Sequence, residues 1–184
     1  MYVRYWVLVP VTLIMRIINF PTAPIVVLFA SEDGWLPKWL WAWQTPDNSL
    51  NGDNGWINEH RPFKQERNKF ERWVNRWRWL WRNSFYGFAF DVKGFTVEYC
   101  WDYSVKGDEA VSNRPLHEGL VRRYFVNGDG DGKRYFQFYY VKKWTPKRCI
   151  RINLGWKLWG EITEGRKIQY VFSISPFNSW STGV

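Results

Sequence analysis

The residues able to carry chemistry are few and scattered. His60 and His117 are the only histidines. Glu59 precedes the first and Glu118 follows the second, and such neighbours more often cap helices or face solvent than exchange protons. Neither histidine has the spacing to Cys, Ser or Asp that a nucleophilic triad or a zinc site requires. Asp47, Asn48, Asn51 and Asp53 place four oxygen-bearing side chains within seven positions, the raw material of a calcium loop. The EF-hand spacing and its terminal glutamate are missing, so a loop made rigid by side-chain-to-backbone hydrogen bonds is the expected use. GDGDGK, residues 128–133, suggests a phosphate loop. It is one residue short and has Arg134 where magnesium chemistry needs Ser or Thr. Asn127, Asp129 and Asp131 repeat the calcium pattern, but the twelfth position falls on Phe138. No metal site and no cofactor are expected. An enzyme acting on envelope or nucleotide substrates would have only Asp47, Asp53 and His60 as clustered candidates, and this reading ranks last. Cys100 and Cys149 both fall in expected strands and are read as buried free thiols, able to pair only if those strands are neighbours.

The composition is more informative than the catalytic inventory. The 184 residues include 15 Trp, 13 Phe and 10 Tyr, with a net charge of +9. Ample apolar content excludes a disordered chain, and two cysteines exclude a disulfide scaffold. One domain, or a small domain with an appendage, is expected. Aromatic residues and positive charge together point to an anionic, interfacial partner: a lipid headgroup surface or a nucleic acid.

The elements that would position such a surface come first in the chain. Residues 1–30 are the most apolar stretch, with a helix expected over Val3 to Phe20. Its length of roughly 27 Å falls just short of a ~30 Å hydrocarbon core. Pro10 should kink it, and Pro21 and Pro24 should end it. Three readings stay open: a marginal or kinked membrane helix with Arg16 snorkelling, a signal peptide with Arg4 as its charged region, and a core helix of a soluble protein. Residues 31–43 follow, with Trp35, Trp39, Trp41 and Trp43. Pro37 fits the first turn of a short interfacial helix that would set Trp35 and Trp39 on one face. Residues 59–82 carry eight basic against three acidic residues. From Pro62 a helix is expected, with Phe63, Phe70, Trp73, Val74, Trp77, Leu80 and Trp81 forming one stripe. Trp73, Trp77 and Trp81 join the first four tryptophans as candidate membrane-interface residues. Arg67, Arg72, Arg76 and Arg78 lie on the other faces as candidate anion-binding residues, for lipid or for nucleic acid. The alternative is a helix whose tryptophans cover a following sheet.

Between these segments, Thr45, Pro46, Asp47 and Asn48 make a strong turn signal, followed by Asn51-Gly52, Asp53 and Asn54-Gly55. GWLPKWLWAWQTPDNSLNGDNGW resembles a motif of tailed-bacteriophage proteins without assigned function, in which an apolar amino terminus leads into a GWLP…W…TPDN…GD run. RINLGWKLWG and SPFNSW are also similar to that family. The likeness covers the ends of the chain better than residues 100–145, and this chain has Asn51 where aspartate is commoner. The resemblance implies a viral, membrane-associated small protein and transfers no catalytic residue.

From Phe85 the period changes to two. Strands are expected at Phe85–Asp91, Phe95–Tyr103, Gly119–Val126, Lys133–Lys143, Cys149–Leu158 and Ile168–Ser175. Short connections, including a tip at Asn127 to Gly132, favour an antiparallel meander of five or six strands. The expected fold class is α+β: an N-terminal apolar helix, a basic amphipathic helix and this sheet, divided as 1–30, 31–58 and 59–184. The expected function is that of an interaction or accessory protein at the host inner membrane, with the bulk of the chain cytoplasmic. A nucleic-acid-binding or virion component is the alternative.

Overall fold

The computed structural model describes residues 2–129 and 132–180. Gly130 and Asp131, at the tip of the expected 127–132 turn, lie outside the described residues. The fold is α+β. The chain forms two compact units: Leu8–Lys93, and Met1–Val7 with Gly94–Val184. Their boundaries fall inside the first helix and at Lys93, rather than after residues 30 and 58.

The first helix, α1, runs Tyr2–Val26 and continues as a 3-10 turn over Val27–Phe29. Its 25 residues correspond to about 38 Å, longer than the prolines suggested. A proline removes one backbone donor, leaving the carbonyl four residues earlier without its helical partner. For Pro24 that carbonyl belongs to Phe20, and the Trp81 indole N–H donates to it at 2.9 Å. Trp73 Nε1 likewise donates to the Pro24 carbonyl at 2.8 Å. Tertiary donors thus keep the helix running where local rules end it.

Residues 31–43 do not form the expected interfacial helix. Pro37 is extended and precedes a single 3-10 turn, Lys38–Leu40, so Trp35 and Trp39 share no helical face. The segment is tied instead to the polar loop: Leu50 N donates to Gly34 O at 2.8 Å. Gln44 accepts from Leu36 N at 3.0 Å and donates to Asn48 O at 2.7 Å. Gly34 has φ +84°, and a Cβ there would sit 3.1 Å from Asn51 Oδ1. A π turn follows at Trp56–His60.

The basic helix, α2, is Lys69–Arg82, starting well after Pro62. Asn68 caps it by accepting from Glu71 N at 2.9 Å, and Glu71 accepts from Arg67 N at 2.7 Å, a capping-box-like exchange. The preceding residues are irregular and are anchored by Asn75, which bonds both the N–H and the C=O of Phe63 at 3.0 and 2.9 Å. The third helix, α3, spans Tyr86–Asp91, where alternation had suggested a strand. Phe85, at φ +49°, turns the chain into it. A Cβ on Gly87 would lie 2.2 Å from Trp41 O, so only glycine lets α3 rest on that backbone. The core of this unit gathers Ala23, Val26, Leu40, Leu50, Trp56, Trp79 and Leu80.

In the other unit the main sheet is a five-stranded antiparallel meander. Its strands are β1 (Cys100–Gly107), β2 (Gly119–Asn127), β3 (Lys133–Thr145), β4 (Arg148–Trp156) and β5 (Tyr170–Ser179), paired in that order. Two short pairs flank it, Phe95–Thr96 with Lys167–Ile168 and Ser112–Asn113 with Leu116–His117. The expected strand over 95–103 is therefore broken in two. Asn127 makes the break by donating to Thr96 O and accepting from Glu98 N, at 2.9 and 2.8 Å. Tyr5 is fully buried with this sheet, its ring 5.0 to 5.8 Å from Phe136, Tyr170 and Trp156. Cys149 is buried as expected, but Cys100 is exposed at the sheet edge. β2 and β3 separate their strands, which keeps the two thiols from pairing.

Candidate functional site

α1 is turned inside out relative to an ordinary surface helix. Its buried stripe, at steps of seven, begins Tyr5, Thr12, Asn19 and continues with Ala23 and Val26. The polar members are bonded: Tyr5 OH donates to Val171 O at 3.2 Å. Thr12 accepts from Lys93 Nζ at 3.0 Å. Asn19 donates to Leu80 O at 2.9 Å and to Ser84 Oγ at 3.0 Å. The outward side is mainly apolar: Val3, Val7, Ile14, Ile17, Ile25 and Leu28 follow one another at helical spacing, with Ile17 72% and Leu28 70% exposed, and Arg4 and Arg16 are the exposed charges on this helix. Residues Tyr2–Phe29 are long and apolar enough to cross a membrane.

The seven predicted interface tryptophans separate into two groups. Trp35, Trp39 and Trp41 are exposed, Trp39 by 65%, and Trp39 packs edge-on to exposed Phe29 at 5.3 Å. Trp43, Trp73, Trp77 and Trp81 are half-buried against the helical core. Trp73 and Trp81 use their N–H groups on α1, and Phe20 stacks on Trp81 at 4.1 Å. Trp79, outside the expected stripe, is the most buried indole of α2. Packing against the helical core accounts for the burial of this second group.

The arginines divide similarly. Arg76 does not belong with an outward cationic face, because it is 6% exposed. Its guanidinium donates to Asn51 Oδ1 and Ser31 O at 3.0 Å each, and to Glu32 O at 2.5 Å. Burial and the neighbouring Arg72 lower its pKa. Five donors in a fixed fork suit this task of fastening three acceptors on two segments. Arg72 is half-exposed, with Nε 3.4 Å from Glu66. Arg67 and Arg78 are exposed, and Arg78 lies over the Trp77 and Trp81 rings at 5.6 and 5.7 Å.

The polar loop uses its oxygens on its own backbone. Thr45 Oγ1 donates to Asn48 O at 2.5 Å, and Asp53 accepts from Trp56 N at 2.7 Å. Pro46 and Asp47 are exposed. His60 is exposed and 3.5 Å from its neighbour Glu59; among the described residues Asp47, Asp53 and His60 do not come together as a group that could hold a metal ion. Spacing gave no sign of the contact between His117 Nε2 and Asp108 Oδ2, 2.5 Å apart on an exposed hairpin. The Ala110 N–H, and then His117, hold the Asp108 carboxyl below its usual range.

Lys93 and the row Arg123, Gln137 and Asn153 were also missed. Burial, with Arg16 adding to it, pushes the Lys93 ammonium down to about 8. Arg123 sits among Val121, Phe125 and Asn127 in the buried phase of β2. A charged residue in the inward phase of a period-two strand was the available signal.

Fold and site together define an α+β protein that presents one long apolar helix face beside basic and aromatic side chains. The chain belongs to the family of unknown function DUF7338, which matches residues 1–182. No curated protein and no solved structure matches it.

Proposed function

We propose that this is a membrane-associated accessory protein, of viral origin as its motif resemblance implies, that seats the outer face of α1 in a lipid surface. The observation supporting this is the reversed polarity of α1. A helix that buries Thr and Asn and exposes Ile, Leu and Val is adapted to apolar surroundings, since a contiguous run of exposed apolar side chains marks a partner or a membrane. The helix lies lengthwise in the boundary. A lone crossing would surrender the bonds from Asn19, Trp73 and Trp81, each costly to lose in hydrocarbon. Trp35, Trp39, Trp41 and Phe29 then reach the headgroup level, and Arg67 and Arg78 add attraction to anionic lipid. The proposed location is the cytoplasmic face of the host inner membrane, and the role is interaction rather than catalysis.

Flotation of the full chain with vesicles tests this reading. The chain should rise with phosphatidylglycerol-containing vesicles and partly with neutral phosphatidylcholine vesicles, the neutral share persisting in high salt. Sedimentation away from both kinds at low salt would refute it. Arg78 stacked on two indoles also suits single-stranded nucleic acid. That second reading expects saturable DNA binding by vesicle-free chain with a steep salt slope.

A further inference from the structure

The sheet unit carries a groove that the membrane reading does not use. Asp102, Val126 and Arg134 are direct cross-strand partners on β1, β2 and β3, so their side chains share one face of the sheet. Tyr124, two residues before Val126, lies on that same face. The register slips between Cys100 and Asp102, which makes Trp101 a bulged residue without a cross-strand partner. A bulge re-aims a side chain that a regular strand would send to the opposite face. The groove has a volume of about 680 Å³, and Trp101, Asp102, Tyr124, Val126 and Arg134 are among the residues that line it. That volume suits a small-molecule site. Its polar and aromatic groups are not engaged elsewhere. Trp101 is 59% exposed and stacks on no other ring among the described residues. Asp102 and Arg134 are exposed, and among the described residues neither side chain makes an ion pair or a hydrogen bond. With neighbouring strands about 4.8 Å apart, the two charged positions stand roughly 10 Å apart across Val126.

We propose that this groove binds a guanine nucleotide, free or within a single strand. A simple anion would meet Asp102, a simple cation would meet Arg134, and an apolar ligand would desolvate both charges without pairing either. A flat ring with adjacent N–H donors and an anionic group satisfies all three side chains. The guanine ring stacks on Trp101. Its N1–H and N2–H donate to the Asp102 carboxylate, which only accepts. Its phosphate takes the Arg134 guanidinium. Adenine sets a ring acceptor beside its amino donor and would turn a lone pair toward Asp102.

Calorimetric titration of the full chain in neutral detergent, at fixed ionic strength, tests this with GMP and AMP and with single-stranded DNA trimers holding a central guanine or adenine. Saturable binding of a guanine probe is expected, with its adenine counterpart about tenfold weaker. A guanine trimer that binds more tightly than GMP assigns the site to a strand, and the reverse order assigns it to the free nucleotide. Trp101→Ala should weaken guanine binding by about tenfold. Asp102→Asn should bring the guanine and adenine probes to within about twofold of each other. Arg134→Gln should weaken GMP by about tenfold and leave guanosine unchanged. All three positions are exposed, so the circular dichroism spectrum should stay that of the wild type. Absence of saturable heat with both guanine probes, equal affinity for guanine and adenine, or a guanine affinity unchanged by Trp101→Ala overturns the proposal. The groove uses neither the outer face of α1 nor Arg78, so this outcome is independent of vesicle binding.

Discussion

α1 and α2 pack side by side in the helical unit, yet they treat their surroundings in opposite ways. α2 follows the rule for water. Trp79 and Leu80 go inside and Lys69 and Arg78 stay out, with Asn75 and Arg76 as buried, hydrogen-bonded exceptions. α1 buries Thr12 and Asn19 and leaves Ile14, Ile17 and Leu28 outside. Each helix supplies what the other lacks: the α2 indoles give hydrogen bonds to carbonyls near the prolines of α1, and Asn19 gives one to the Leu80 carbonyl. The difference teaches that apolar content does not locate a core. Here the more polar helix buries the large apolar pair Trp79 and Leu80, and the most apolar helix buries Thr12 and Asn19 beside Ala23 and Val26.

Five experiments break or sharpen that contrast. Replacing Ile14, Ile17 and Leu28 together by Glu removes three exposed apolar side chains, each worth about 2 kcal/mol if buried in lipid. Flotation should fall by more than a hundredfold while the circular dichroism spectrum stays the same. Loss of the fold instead would mean that this face is packed in protein. On α2, Arg76→Met strands the Ser31, Glu32 and Asn51 acceptors and should cost about 3–4 kcal/mol in denaturant unfolding. Arg76→Lys should rescue little of it, because an ammonium cannot span three acceptors in the guanidinium geometry.

Lys93 gives a pH test. Its folded pKa is about 8 and its ordinary value is 10.5, so between those values the unfolded chain holds the proton that the folded chain releases. Stability therefore rises with pH across that window, by up to about 3 kcal/mol, and the penalty of burying the charge is constant below it. Lys93→Met should remove this increment relative to wild type. A parallel pH profile in the variant would disprove the assignment. Tyr86, pushed up to about 12 by burial, acts at higher pH and is common to both proteins.

Trp81→Phe keeps the stack on Phe20 but removes the donor to its carbonyl. It should cost about 1–2 kcal/mol, with hydrogen exchange accelerating near Pro24. Arg67→Gln with Arg78→Gln should weaken binding to anionic vesicles by about 1 kcal/mol per charge and leave neutral vesicles unaffected. Equal loss on both lipids would place these residues in the fold instead of at the headgroups.

How much could be read in advance varies along the chain. The period-two stretches of β2, β3 and β4 were legible because each strand alternates against a buried face, and pairing through short turns then dictates a meander. The FYGFAFD run that became α3 also alternates, but Gly87 allows a helical backbone to approach Trp41 O, a contact with no local signature. The irregular lead into α2 is anchored by Asn75 from a distance of twelve residues. Among the site residues, the exposure of Arg67, Arg78, Trp35 and Trp39 was legible. The burial of Arg76 was not, since a guanidinium on a basic helix is solvated unless a separate segment folds over it.

By itself the sequence determined the α+β class, the five main strands, the aromatic and basic character and the presence of one long apolar segment. These follow from periodicity and transfer free energy, which act locally and in proportion to composition. Tertiary structure alone decided which side of α1 meets protein and that its prolines do not end it. It also decided that Arg76 is a fastener. Each depends on where a distant donor or acceptor lies, and a buried polar group takes its position from the partner that satisfies it.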